Sequence, residues 1–478
     1  MNGALINWIV ALPELVLAVC GMAILLLGVV QRRENPLLAS MLSIGALVLA
    51  GVLVVSGSRG QGYEGQLVSD AFSTFLAVLI LIGAALTIML SLEYNQLQRI
   101  YRFEFPVLIV FAAVGMMVMV KATNLMSLYL GLELQSLAIY VLAAFARDDL
   151  RSAEAGLKYF VLGCLASGLL LYGISLVYGF SGTMDFARLS RAFTAPADVS
   201  AGLVVGVVFM LAGLAFKISV VPFHMWTPDV YEGAPTPVTT FIATAPKVAA
   251  MGLLLRTMIF PFGHLLAQWQ QLVVLVSIAS MVLGALAAIG QVNIKRLMAY
   301  SAIGHMGYAL IGLAAGTEAG VRGVLIYLLV YMVMSAGAFA VILAMRRRGM
   351  AVEAIADLAG LSSTDPALAL LMTIFMFSLA GIPPLSGFFG KFYVFLAAVQ
   401  AGQWTLAIIG VLTSVVSAYY YIRIVKVMYF DTPTMRFDVR HPAISIAGGA
   451  TALFTVLFLA IAGPFISAAD LAAKALFG

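Results

Sequence analysis

Charge is scarce in this sequence. Only 10% of its 478 residues are Asp, Glu, Lys or Arg, against roughly 25% in a soluble domain. Such a chain cannot cover its surface with ions, so most of its solvent is lipid. Cysteine is nearly absent. Cys20 and Cys164 lie far apart in apolar runs, which excludes a disulfide scaffold and predicts two small buried hydrophobes. No C-x-x-C, H-E-x-x-H, P-loop or dinucleotide fingerprint occurs, so the chain itself is expected to hold no metal, flavin, nucleotide or other cofactor. Linkers and low-complexity tracts are missing, and the longest polar connections lie near 181–198 and 346–366. The pI near 9.1 comes from loop arginines and implies no nucleic-acid partner.

Hydrophobic residues make up 63% of the chain, with a mean hydropathy of +1.08. Apolar runs of roughly 20 residues recur from end to end, each long enough to span ~30 Å of hydrocarbon. We count about fourteen. They lack the period-two alternation of a membrane barrel. The fold class is therefore all-α and polytopic, embedded in a lipid bilayer. The N-terminal stretch MNGALINWIVALPELVLAVC has no basic leader and reads as a retained first helix. With the N-terminus outside, the inner loops hold Arg32, Arg33, Arg99, Arg102, Arg147, Arg151, Lys295, Arg296, Arg346, Arg347, Arg348, Lys426, Arg436 and Arg440. The outer side keeps Arg59, Lys121, Arg188, Arg191, Arg256, Arg322 and Lys474. That bias predicts both termini on the outer side of the membrane.

A weak self-similarity organises the middle. Shifted by 168 residues, Leu211-Ala212-Gly213 meets Leu379-Ala380-Gly381, Tyr140 meets Tyr308 and Ser167 meets Ser335. The shift maps runs 4–8 onto runs 9–13. Five is odd, so the second copy enters the membrane from the opposite side, as in an inverted repeat. The expected divisions are helices 1–3 in 1–103, the first five-helix repeat in 104–262, the second in 263–430, and helix 14 in 431–478. Helices 7 and 12 are expected to be interrupted. Pro222 follows Lys217 in the first, and Gly381, Pro383, Pro384 and Gly387 precede Lys391 in the second; Pro246, just before Lys247, is expected to be a further helix break.

Six ionisable side chains lie inside apolar runs: Glu133, Lys158, Lys217, Lys247, His305 and Lys391. Each costs about 2.5–3.5 kcal/mol or more at the bilayer centre if charged and facing lipid. They are expected to face the protein interior and pair with one another or with water. Glu133 lies ~13 Å along its helix from Asn124 and ~21 Å from Arg147 at 1.5 Å per residue, so it is deep. Lys158 is nearer the inner edge, and either a relay or an interfacial charge fits it. Desolvation disfavours an ammonium, so a buried lysine can hold or lose a proton near neutral pH, and a nearby carboxylate opposes that loss. One such group per helix is what a lateral proton wire requires. Sodium wants several oxygens, and lysine outnumbers carboxylate here, which favours protons as cargo.

Two stretches carry a resemblance. PFHMWTPDVYEGAPTPVTTFIATAPK (222–247) and SLAGIPPLSGFFGKF (378–392) resemble the signatures of the antiporter-like membrane subunits of respiratory complex I, the NADH–quinone oxidoreductase. Among these the chain is most similar to the N-type, the counterparts of mitochondrial subunit 2. M-type chains carry glutamate at the place of Lys391, and L-type chains continue into a long lateral helix. The resemblance covers the whole chain. It implies fourteen helices with two inverted five-helix bundles. It implies a proton relay of the carboxylate–lysine pair Glu133 and Lys217, the central Lys247, the linker His305 and the terminal Lys391, with Lys158 a further family-type lysine. It implies that NADH, FMN, iron–sulfur clusters and quinone stay in partner subunits, with M-type and small K- and J-type chains as neighbours, in the bacterial inner membrane. The same fold serves Mrp-type cation/proton antiporters, which is the alternative function; a membrane scaffold that pumps nothing is a third.

Overall fold

The computed structural model describes residues 8–31, 35–192, 200–433 and 436–477. Arg32 and Arg33, counted above among the inner loops, lie outside the described residues. The chain is almost wholly helical. Its first half runs α1 (Leu12–Val30), α2 (Pro36–Ser56), α3 (Ala71–Leu97), α4 (Glu104–Lys121), α5 (Leu125–Ala143), α6 (Leu150–Ser181), the short α7 (Phe186–Ala192), α8 (Ala201–Ile218), α9 (Trp226–Gly233), α10 (Thr236–Ala243) and α11 (Ala245–Ile259). There follow α12 (Leu266–Ile289), α13 (Ile294–Ala315), α14 (Glu318–Ala344), the four-residue α15 (Leu361–Thr364), α16 (Pro366–Ala380), α17 (Ser386–Gln400), α18 (Trp404–Phe430) and α19 (Pro442–Phe477). Two antiparallel ribbons complete it: β1 (Gly60–Gly62) with β2 (Leu67–Ser69), and β3 (Arg346–Arg347) with β4 (Met350–Ala351).

Among the described residues, thirteen spans are long and apolar enough to cross a membrane, α10 and α11 counting as one. The remaining expected run, the twelfth in chain order, is divided into α16 and α17 by the non-helical residues 381–385. The polar residues that punctuate the runs fix the helix starts. Asp70 caps α3 in a reciprocal box with Ser73, and Asn35, Asn124, Asp149, Asn293, Thr317 and Asp365 each accept a backbone N–H in the first turn of the helix they open.

Helices differ sharply in how much of them the chain itself covers. The Thr236–Ile259 span is wholly buried and nearly all of α13 and α14 is buried, whereas most of α1 is exposed or half-buried. The first three form a central core; α1 and its neighbours present apolar side chains outward to lipid. Cys164 is on that outer surface and Cys20 is half-buried. The expectation that both would be interior fails because an apolar environment outside the chain makes exposure as comfortable for a thiol as burial.

The first helix of each expected repeat packs on the second through glycine. A Cβ on Gly115 of α4 would meet Gln135 N of α5 at 2.5 Å, and one on Gly284 of α12 would meet Gly304 N of α13 at 2.7 Å. Only small residues let helix backbones approach so closely. Helix-end bonding recurs too. Leu125 N donates to Met184 O and Phe186 N to Thr123 O; Ile294 N donates to Glu353 O and Ile355 N to Val292 O. All four positions in the second set lie 169 residues after those in the first (Leu125 to Ile294, Met184 to Glu353).

Candidate functional site

The break that ends α8 positions the first two lysines. Lys217 is in the last turn of α8, and residues 219–225 are non-helical. Ser219 closes the helix in the left-handed region, at φ 64°, which favours glycine by about 1–2 kcal/mol. The terminal carbonyls of a helix have no partner within it. Here Trp226 Nε1 donates to Phe216 O at 3.0 Å, and Lys247 Nζ donates to Ile218 O at 3.3 Å and Ser219 Oγ at 2.8 Å. Pro246 stands in the first turn of α11, where its missing N–H costs nothing. Thr244, between α10 and α11, has φ −115° and ψ −94°. This second interruption, within run 8, lies two residues before Pro246, the helix break expected there. Lys217 itself points at α5 and donates to Ser136 Oγ at 2.7 Å and to the Tyr140 hydroxyl at 3.0 Å.

The break between α16 and α17 repeats the arrangement. Gly381 closes α16 at φ 88°, and Pro383 and Pro384 occupy the gap. Gly387 lets the first turn of α17 return beneath α16, since a Cβ there would fall 1.8 Å from Ser378 O. Lys391 Nζ donates to Ala380 O at 2.9 Å and to Ser414 Oγ at 2.7 Å. In both breaks a lysine therefore lies on the negative end of a helix, where the macrodipole favours a cation. Tyr308 faces Lys391, with Nζ 4.9 Å from its ring centroid, as Tyr140 faces Lys217 at 5.3 Å. These are the two tyrosines that the 168-residue shift superposes.

His305 sits between them on α13. Its Nδ1 is 2.6 Å from the Tyr327 hydroxyl and its Nε2 is 3.1 Å from that of Tyr421. Lys217, Lys247, His305 and Lys391 are all at most 5% exposed. The lysines are met by neutral oxygens, and no carboxylate pairs with any of them among the described residues.

Glu133 and Lys158 are placed differently. Glu133 is half-buried, accepts a hydrogen bond from Ser167 Oγ, and makes no ion pair with Lys217. Tyr129, Glu133, Ser136 and Tyr140 form one stripe of α5, which places the carboxylate on the same face as the two hydroxyls that meet Lys217. The Lys158 side chain is 41% exposed, with Nζ 2.7 Å from Glu154 and 2.8 Å from Asp229. Arg296 joins the cluster through Asp229 at 2.8 Å and Glu232 at 3.0 Å. The structure gathers Lys158 with the α9 carboxylates, away from Lys217. The tyrosine and serine hydroxyls that line the lysines had no role in the sequence reading, although their helical spacing is a signal that could have exposed them.

The comparisons with known proteins agree with this geometry. Residues 122–417 match the family model for the NADH:quinone oxidoreductase/Mrp antiporter transmembrane region, a stretch that contains all six ionisable residues. Over 475 residues the chain is 64% identical to NADH-quinone oxidoreductase subunit N of Granulibacter bethesdensis, covering 98% of this chain and 99% of the relative. This chain belongs to the NADH-quinone oxidoreductase subunit N family. Subunit N chains are components of an enzyme complex, respiratory complex I, and so is this one. Its fold is similar to a chain of Thermus thermophilus respiratory complex I with bound aureothin, at 33% identity and a TM-score of 0.83 over 96% of this chain and 99% of that one. A chain of the Mrp complex from Dietzia sp. DQ12-45-1b shares the fold at a TM-score of 0.86, with 23% identity over 98% of each. The subunit N family thus accounts for the multi-pass architecture and for the antiporter-like core around the lysines.

Proposed function

We propose that this proton-translocating membrane subunit moves protons through Glu133, Lys217, Lys247, His305 and Lys391, driven by electron transfer from NADH to quinone in its partner subunits. One observation carries the reading: three lysines buried in the membrane core are held by neutral oxygens alone. A charge change at Glu133 alters the hold on Lys217, because a nearby carboxylate favours the ammonium and its loss releases the proton. Lys217 passes the proton to Lys247, which lies on the carbonyl of the very next residue. His305 receives it and Lys391 releases it to the outer side. Lys158 acts from the inner-side ion-pair cluster, holding α9 in place. The chain itself contributes no redox centre; NADH, flavin, iron–sulfur clusters and quinone belong to other subunits, and the adjoining membrane chains are of the M, K and J types.

The recurring helix-end bonds and the paired tyrosines support two inverted repeats, 104–262 and 263–430. The loop arginines support an inner-membrane orientation with both termini outside. A sodium-driven antiporter of Mrp type is the competing reading, and sodium-dependent transport without NADH oxidation would favour it. The test is Lys217→Ala in the assembled complex, with pumping followed by dye quenching in inverted vesicles. Assembly should survive, and pumping should fall at least about a hundredfold, the low end for a positioned proton-transfer group. Normal pumping in the assembled mutant removes this role.

A further inference from the structure

A gap separates Lys247 on α11 from His305 on α13, and no direct hydrogen bond closes it among the described residues. Two features fill it. Tyr231, on α9, is wholly buried, and its hydroxyl has no hydrogen-bond partner among the described residues. A buried hydroxyl left unpaired costs about 1–3 kcal/mol, so its retention in the core calls for a purpose. Lys247 Nζ lies 6.0 Å from the Tyr231 ring centroid. On the far side stands α14, which is nearly all buried and presents Tyr327, Tyr331, Ser335 and Phe339 at successive intervals of four residues. That spacing puts all four on one face. Phe339 packs on Tyr231, with ring centroids 6.4 Å apart, so this face turns toward α9. Tyr331 stands about two turns before Phe339 on that face. Its ring is 5.2 Å from that of His305, and one turn earlier Tyr327 makes the 2.6 Å contact with His305 Nδ1.

We propose that Tyr231, Tyr331 and Tyr327 form a phenol bridge that carries the proton from Lys247 to His305. This inference rests on the lysine relay and supplies its missing middle. The Lys247 ammonium gives a proton to the Tyr231 oxygen while the original Tyr231 proton passes to Tyr331. Tyr331 hands its own to Tyr327, and Tyr327 delivers one to His305 Nδ1, directly or across single waters. Each phenol ends with one O–H, as it began. Lys247 has lost a proton and His305 has gained one. A phenol serves because its O–H is at once donor and acceptor, and no charged side chain has to be buried along the way. Phe339, at the end of the same face, has no hydroxyl and supplies packing alone.

Tyr331→Phe keeps the ring and removes the relay atom. In inverted vesicles, pumping per assembled complex should fall at least about a hundredfold, the low end for losing one positioned acid–base group. Tyr331→His, which restores a group that both gives and takes a proton, should recover several-fold over Phe. Tyr231→Phe should match Tyr331→Phe, and it carries the test alone if the latter does not assemble. Phe variants that pump normally while Lys247→Ala does not would overturn the bridge and leave the lysine relay standing. A Tyr331→His mutant no better than Phe would also overturn it, since the hydroxyl would then be a fixed structural contact. If Lys247→Ala itself pumps normally, the failure belongs to the underlying relay.

Discussion

Two populations of buried cations share this membrane protein, and they are solvated in opposite ways. Lys121, Arg256, Lys295 and Arg346 lie at or just beyond helix ends, each within 2.9 Å of a carboxylate: Glu14, Asp70, Glu353 and Glu93. Lys217, Lys247 and Lys391, at the helix breaks, have serine and tyrosine hydroxyls and backbone carbonyls instead. The first set holds its charge permanently, because a buried ion pair that loses one member strands the other. The second set has no fixed counter-charge, so its protons can leave without abandoning an anion. Burial alone therefore does not mark a relay lysine; what surrounds the ammonium does.

The largest effect should come from stranding a charge of the first kind. Glu14→Leu leaves Lys121, 2% exposed, without its partner, at a cost of about 3–5 kcal/mol. Thermal unfolding of the purified complex should show that loss, and the double change with Lys121→Met should recover most of it. A double mutant as unstable as the single would mean that packing, not charge, was lost.

Ser414→Asp tests the converse by giving Lys391 a permanent carboxylate. An adjacent opposite charge favours the ammonium by about 1–3 pKa units, each worth tenfold in proton release. Pumping should drop by about one to two orders of magnitude while assembly holds. A mutant that assembles and pumps like wild type would erase the distinction between the two populations.

Lys391→Glu is gentler. If the position needs only a group that binds and releases a proton, Glu retains more pumping than Lys391→Ala, because burial can tune either sign of charge. Pumping per NADH oxidised, normalised to assembled complex, decides it; Glu no better than Ala means the cation itself is required. For the same reason Glu133→Asp should keep more activity than Glu133→Gln, and equal activity would remove the electrostatic role of that carboxylate. Gly163→Ala should do least. Its Cβ would fall 2.0 Å from the Tyr140 hydroxyl, pushing that oxygen off Lys217 and slowing pumping by a factor of about three, which is under 1 kcal/mol.

Much of the fold could be read from the sequence because lipid imposes a length and a polarity on every crossing. The three core lysines and His305 were visible as ionisable groups inside apolar runs. Pairing was not visible. Lys121 and Arg256 looked like outer loop charges, and Lys295 and Arg346 like inner ones, because their carboxylates are 107, 186, 58 and 253 residues away. Periodicity within a run says nothing about such distant partners. Glu133 was expected against Lys217, but a side chain's depth along its helix does not tell which way it faces around it. Pro246 marked a helix break, but the break itself is at Thr244, because proline fits inside the first turn of the helix that follows.

Lys391 on the Ala380 carbonyl ties a proton to a piece of backbone. While the ammonium donates there, that C=O vibrates as a strongly hydrogen-bonded amide; when the proton departs, the same oscillator stiffens. A carbon-13 label on the Ala380 carbonyl would turn this helix end into an infrared gauge of occupancy, readable during turnover without touching any side chain.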